Sequence, residues 1–214
     1  MRIHLHLSLL RALTAAAAIF CLLMAGCSSA PEESKKEKKA GAAQAAIPDI
    51  FKVKFSTTKG DFVVEVHKEW APIGAERFYQ LVKDKYYDNS GFFRVVPDFA
   101  VQFGLAADPK LTAKWNTKIQ DDPVNRTNAV GMVTFATAGA NTRTTQIFIN
   151  LRSNQALDDQ GFAPFGKVVE GMDVVTKVSS AHGQMPEENL ITKQGNAYLK
   201  RFPRLDYVKT ATLL

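Results

Sequence analysis

Residues 92–104, FFRVVPDFAVQFG, place two hydrogen-bonding side chains at matched positions about a turn. If Pro97, Asp98 and Phe99 form a three-residue hairpin loop, Val96 faces Ala100, and two steps further out Arg94 stands opposite Gln102. Opposed residues share a face, with Cβ atoms about 4.5 to 5.5 Å apart. Local pairing alone therefore sets a guanidinium, a permanent donor, against a carboxamide, with the ring of Phe99 at the adjoining turn. An exposed arginine on an ordinary strand fits this segment equally well.

A second segment, residues 135–151, FATAGANTRTTQIFINL, reads as two strands joined by a loop of small residues. Gln146 opens the second strand and Phe148 follows two places on, so the two share a face. An amide beside a ring on one wall suits an extended peptide, whose backbone needs partners and whose side chain needs a slot. The competing reading is a glutamine bonded within its own sheet and a phenylalanine in the core. A third segment, residues 157–175, LDDQGFAPFGKVVEGMDVV, follows.

Other chemistries find little support. Once residues 1–26 are removed only His67 and His182 remain among the histidines, and neither lies in a nucleophile arrangement. No cluster has metal-ligand spacing, and no loop matches the phosphate-cradling pattern. No metal and no cofactor is expected. Lysines and arginines are scattered, without a basic stripe interleaved with aromatics, so no nucleic-acid partner is expected.

The elements that must hold these side chains follow from periodicity. Phe51, Val53 and Phe55 alternate with polar residues, and after Thr58-Lys59-Gly60 the positions Phe62, Val64 and Val66 do the same, which predicts a hairpin with one buried face. Pro72 suits the first turn of a helix, on which Ala75, Phe78, Leu81 and Val82 form one apolar stripe. Further strands are expected at residues 92–96, 100–103, 130–137, 146–150, 164–169 and 205–212, with a short helix at 172–178. The expected fold class is mainly β: a closed antiparallel barrel of about eight strands capped by two α-helices.

The amino-terminal segment reads as an address. Arg2 and Arg11 precede an uncharged apolar run, residues 12–25, that ends in small residues and is shorter than the roughly 20 residues of a membrane span. Residues 1–26 are read as a signal peptide. Leu23-Met24-Ala25-Gly26-Cys27 resembles a lipobox, making Cys27 the site of lipidation and the first mature residue. Met24 stands where that pattern prefers leucine, and cleavage near Ala25 or Gly26 without lipid is the competing reading. Cys21 leaves with the signal, so the mature domain has no thiol for a disulfide. Loss of Arg2 and Arg11 lowers the formal charge from +6 to +4.

Residues 28–46 contain almost no large apolar side chain and cannot offset the entropy of ordering. Residues 27–48 are read as the lipidated cysteine and a tether, and 49–214 as one folded domain. A coil of about 20 residues spans roughly 25 Å. The expected location is the cell envelope, facing the periplasm from the outer membrane, with the membrane contacted through the lipid only.

The three motif-bearing segments together resemble the cyclophilins, matching FHRVIPGFMIQGG, AxAGPNTNxSQFFI and LDGxxxxFGxVxEGMxVV in order and spacing. The likeness takes in the opening hairpin, the Ala75-Glu76-Arg77-Phe78 helix and the closing strand. It implies a cyclophilin-like barrel with peptidyl-prolyl cis-trans isomerase activity on proline-containing polypeptides, acting as a monomer in the folding of exported proteins. Arg94 matches the catalytic arginine, and Phe99 and Gln102 accompany it. Ala100, Ala136, Thr137, Ala138, Gln146, Phe148 and Leu157 match substrate-cleft positions, and Phe162 is the expected occupant of a position where relatives carry a histidine.

Departures from the pattern are Phe93 for histidine, Ala100 for methionine, Thr137 for asparagine and Ala156 for tryptophan, with one extra residue in the 158–164 loop. They imply weak cyclosporin binding. Two other functions compete with the enzyme: a non-catalytic peptide-binding or holdase module on the same scaffold, and a barrel for a small apolar ligand.

Overall fold

The computed structural model describes residues 47–214. Its first two strands, β1 (Ile50–Thr57) and β2 (Gly60–His67), form the expected hairpin. Phe51, Val53 and Phe55 of β1 face inward while Lys52 and Lys54 are exposed. Ile47, the first described residue, already packs into the core. Helix α1 (Pro72–Lys83) follows and lays Ala75, Phe78, Leu81 and Val82 on that core.

The remaining strands are β3 (Arg94–Val96), β4 (Ala100–Phe103), β5 (Met132–Phe135), β6 (Ile147–Asn150), β7 (Pro164–Glu170) and β8 (Val208–Leu213). They make one antiparallel sheet in the order β3-β4-β6-β5-β7-β2-β1-β8. Phe55 and Phe62 stack at 4.9 Å, and Phe78 meets Phe165 at the same separation. These rings, with Phe103 and Phe135, fill the space that a small apolar ligand would need.

The expectation of a closed barrel needs correction. The edge strands β3 and β8 share no ladder. They are linked by one bridge, Gly91 to Tyr207, flanked by Phe92 N–H to Asp206 C=O at 3.0 Å and Val208 N–H to Ser90 C=O at 2.9 Å. Only a residue without a side chain permits this approach, since a Cβ on Gly91 would lie 2.7 Å from Leu199 and 2.9 Å from Leu205.

The expectation of two helices is corrected as well. The helix near 172 is only α3 (Met172–Thr176), and α2 (Pro109–Trp115), α4 (Glu188–Gln194) and α5 (Asn196–Leu199) were not foreseen. Each is at most two turns long, too short to display an apolar period. Helices α4 and α5 bury the second small core of Phe93, Leu105, Ile191, Tyr198, Leu199 and Leu205, whereas Leu111 and Trp115 of α2 and Val175 of α3 pack on the main one. Phe93 thus serves as an anchor for this layer.

Two tyrosines at the end of α1 brace the floor beneath β6. Tyr86 Oη donates to Thr145 Oγ1 at 3.0 Å and Tyr87 Oη to the Thr145 carbonyl at 3.1 Å. Burial raises the pKa of Tyr86 and pushes that of Tyr87 well above the ordinary phenol value. A raised acid favours folding while protonated: the contribution is complete below about pH 10 and is lost as pH rises toward the folded-state values. Unfolding free energy is therefore expected to fall above pH ~10, by up to about 1.4 kcal/mol per pH unit from Tyr87 and by less from Tyr86. Urea titrations at pH 9 and 11 check this, and Tyr87→Phe should flatten the slope.

Residues 1–46, on which the expected signal peptide, the expected lipidation at Cys27 and most of the expected tether fall, lie outside the described residues.

Candidate active site

The β3–β4 turn sets the site. Phe99 N–H donates to the Val96 carbonyl at 3.1 Å, and Asp98 takes a positive φ of 55°, a conformation aspartate tolerates better than most residues. The register that results is Val96 opposite Ala100 and Arg94 opposite Gln102. On the far side of β4, Gln102 pairs with Phe148 of β6. Arg94, Gln102 and Phe148 thus lie side by side across three strands, as the loop length demands.

Arg94 is half-buried and held from two sides. Its Nη1 donates to Gln102 Oε1 at 3.1 Å and its Nε to Gln184 Oε1 at 2.7 Å, while Cζ sits 5.6 Å from the centre of the Phe99 ring. Gln184 belongs to a turn stitched onto the outer edge of β3, where Val95 N–H donates to the Gly183 carbonyl at 3.0 Å. An edge strand leaves such donors open, and this turn uses one of them.

Arg94, Phe99, Gln102, Ala136, Thr137, Phe148, Leu157, Phe162 and Glu188 line a cleft of about 300 Å³. An adjoining cavity of about 200 Å³ shares Gln102, Ala136, Thr137 and Glu188 with it and adds Ala138, Thr142, Thr144 and Gln146. Phe148 and Phe162 meet edge to face at 5.8 Å, forming one apolar wall. Beside it runs a continuous polar chain, since Gln102 Nε2 donates to Gln146 Oε1 at 2.8 Å and Gln146 Nε2 to Glu188 Oε2 at 3.0 Å.

The loop bearing Phe162 is tied down by Asn128, whose Nδ2 donates to the Phe162 carbonyl at 2.9 Å and to Asp158 Oδ1 at 2.7 Å. Partial burial would raise the Asp158 carboxyl, but hydrogen bonds from Thr127 and Asn128 outweigh it and hold the pKa below the usual value. At the other end, Gly104 closes β4 with φ 106°, and a Cβ there would lie 2.6 Å from the Thr145 carbonyl. That close approach brings the strand carrying Gln102 against the one that Gln146 opens.

Ten of the eleven residues expected at the site border these two cavities. Ala100 does not: it shares the face of Gln102, but its methyl group is buried and too short to reach the cleft. Sequence reading missed Gln184, Glu188, Thr142 and Thr144. Nothing local marks Gln184, whereas Pro186-Glu187-Glu188 ahead of Leu190 and Ile191 is a helix-start signal that would have located α4.

Comparison with known proteins bears on the family and the fold. The family model for cyclophilin type peptidyl-prolyl cis-trans isomerase/CLD matches residues 52–195, from β1 through α4. A peptidyl-prolyl cis-trans isomerase of Schizosaccharomyces pombe is 36% identical over 134 residues, covering 59% of this chain and 83% of that protein. One from Acinetobacter baylyi is 35% identical over 137 residues, covering 60% and 71%. Among solved structures, a cyclophilin-type isomerase of Cryptosporidium parvum superposes with a TM-score of 0.58 at 20% identity, over 77% of this chain and 98% of that one. A cyclophilin from Hirschia baltica gives 0.59 at 18% identity, over 78% and 74%. The chain belongs to the cyclophilin-type peptidyl-prolyl cis-trans isomerase family.

Proposed function

We propose that the protein catalyses cis-trans isomerisation of X-Pro bonds in exported polypeptides, with Arg94 as the donor to the prolyl nitrogen. The observation that carries this reading is the guanidinium held by Gln102 and Gln184 at the rim of a cleft walled by Phe99, Phe148, Leu157 and Phe162. The rings suit the pyrrolidine, and the polar wall of Gln102 and Gln146 suits the peptide backbone.

Rotation about the X-Pro bond is slow because the amide has partial double-bond character, with a barrier of about 18 to 20 kcal/mol. No proton has to move. In the twisted state the nitrogen becomes pyramidal and its lone pair no longer delocalises into the carbonyl. A donor aimed at that nitrogen binds the twisted state better than either planar one, which is what lowers a barrier.

Magnitudes decide what else is required. A barrier near 20 kcal/mol corresponds to about 0.01 per second, so reaching roughly a thousand per second means lowering it by about 7 kcal/mol. A charge-assisted hydrogen bond contributes about 1.5 to 3 kcal/mol in ordinary surroundings. The remainder comes from a preorganised, water-poor site and from gripping the proline while the preceding residue turns. The test is isomerisation of a short X-Pro peptide by the purified chain. Turnover well above the spontaneous rate is expected, and a rate equal to the buffer control would leave only a peptide-binding module.

The same proposal places the protein in the cell envelope. Residues 1–26 direct export, Cys27 takes a diacylglyceryl group, and the residues up to 46 tether the folded domain, which Ile47 already joins, as a monomer on the periplasmic face of the outer membrane. Support comes from the apolar run ending at the lipobox-like Leu23-Met24-Ala25-Gly26-Cys27 and from the polar composition that follows. Mass spectrometry of the mature protein is expected to find an acylated amino-terminal Cys27. An unmodified cysteine overturns the anchor.

A further inference from the structure

The hydrogen-bond chain that starts at Arg94 ends on Glu188, at the first position of α4. A guanidinium only donates and a carboxylate only accepts, whereas each glutamine amide has one donating and one accepting end. Between a donor terminus and an acceptor terminus, a single arrangement of the two amides makes all three bonds. It is the observed one: Arg94 Nη1 to Gln102 Oε1 at 3.1 Å, Gln102 Nε2 to Gln146 Oε1 at 2.8 Å, and Gln146 Nε2 to Glu188 Oε2 at 3.0 Å. Turning either amide over breaks two bonds and sets like ends against each other.

The helix end that presents Glu188 is fixed, although the carboxylate itself is exposed. Glu187 N–H donates to Tyr198 Oη at 3.1 Å, and Ile191, one turn along, is fully buried. We infer that Glu188 is a positioning residue of the site: its carboxylate dictates which way round Gln146 and Gln102 sit, and so keeps an oxygen against the guanidinium of Arg94. The inference rests on reading Arg94 as the donor to the substrate amide. Without an acceptor at the far end, Gln146 can face either way, and Gln102 can turn its NH2 toward a group that has nothing but donors.

Reversing the terminus tests this. Glu188→Lys puts a donor at both ends, so one of the three bonds must fail. The expected result is a fall in kcat of about tenfold, part of the worth of one charge-assisted hydrogen bond, with KM changed by less than about twofold. Adding Gln146→Glu supplies an acceptor to both Gln102 Nε2 and the new ammonium, and the double variant should regain kcat relative to Glu188→Lys, while any loss of substrate contact at Gln146 shows in KM. The side-chain amide resonances of Gln102 and the Nε–H resonance of Arg94 should shift in the single variant and return in the double one. A role confined to supporting α4 would not move them in this way.

Wild-type kcat and unshifted Gln102 resonances in Glu188→Lys would overturn the inference, as would a double variant no better than the single. Arg94→Ala serves as the control. If it is inactive while Glu188→Lys is fully active, the inference alone falls. If it turns over like wild type, the catalytic reading falls and takes the inference with it.

Discussion

Replacing Arg94 with alanine is expected to lower kcat/KM for an X-Pro peptide by about 100- to 1000-fold, the scale of losing one preorganised donor aimed at the transition state. Affinity should change far less. The walls that grip the ring, Phe99, Phe148, Leu157 and Phe162, do not depend on the guanidinium for their own packing, apart from its contact with Phe99 at 5.6 Å. A donor that acts only in the twisted state shows its loss in kcat and leaves KM within a few-fold. Arg94→Lys should recover little. A lysine keeps the charge but lacks the planar fork that bonds Gln102 and Gln184 while still facing the cleft. Steady-state isomerisation kinetics with one peptide across the three proteins check both statements.

Arg143→Ala is expected to be the most destabilising single change among the residues that support the site from behind. Arg143 is 2% exposed, and its Nη1 donates to Asp122 Oδ2 at 3.0 Å while its Nε lies 3.1 Å from Asp121 Oδ1. A further bond runs from Nη2 to the Gln120 carbonyl. Asp122 in turn accepts from Ile73 N–H at 2.9 Å and Gly74 N–H at 2.8 Å, the open donors at the start of α1. One ion pair therefore ties the loop bearing Ala138, Thr142 and Thr144 to the helix that covers the core.

Removing the arginine leaves the buried Asp122 carboxylate without its counter-charge, a loss of about 3 to 5 kcal/mol. For a domain of this size that lowers Tm by roughly 6 to 20 °C. Thermal unfolding of the wild type and Arg143→Ala checks it, and a shift below about 2 °C would mean that solvent already satisfies this carboxylate. The effect should also reach the cleft, because Arg143 stands three residues before Gln146 on the same segment.

How far the sequence carries depends on how local each contact is. The pairing of Arg94 with Gln102 was legible because a three-residue loop leaves the hairpin no other register, and the structure repeats it residue for residue. Gln146 and Phe148 were placed on one face by strand periodicity alone. The tether of Arg94 to Gln184 joins residues 90 apart, and that of Gln146 to Glu188 residues 42 apart, so no periodicity or turn rule relates them. Both depend on α4 and α5, whose few residues show no apolar stripe of their own and are held by the small core around Phe93 and Leu199. The single bridge that joins the two sheet edges was hidden for the same reason: it turns on how closely Gly91 approaches Leu199 and Leu205 in three dimensions.

Exchange spectroscopy on an isotopically labelled X-Pro peptide, with a small molar fraction of protein, separates gripping the proline from twisting its bond. Cross-peaks joining the cis and trans signals are expected with the wild type. With Arg94→Ala the signals should still broaden from binding while the cross-peaks vanish. Cross-peaks of equal strength for both proteins would contradict a guanidinium that eases rotation of the amide.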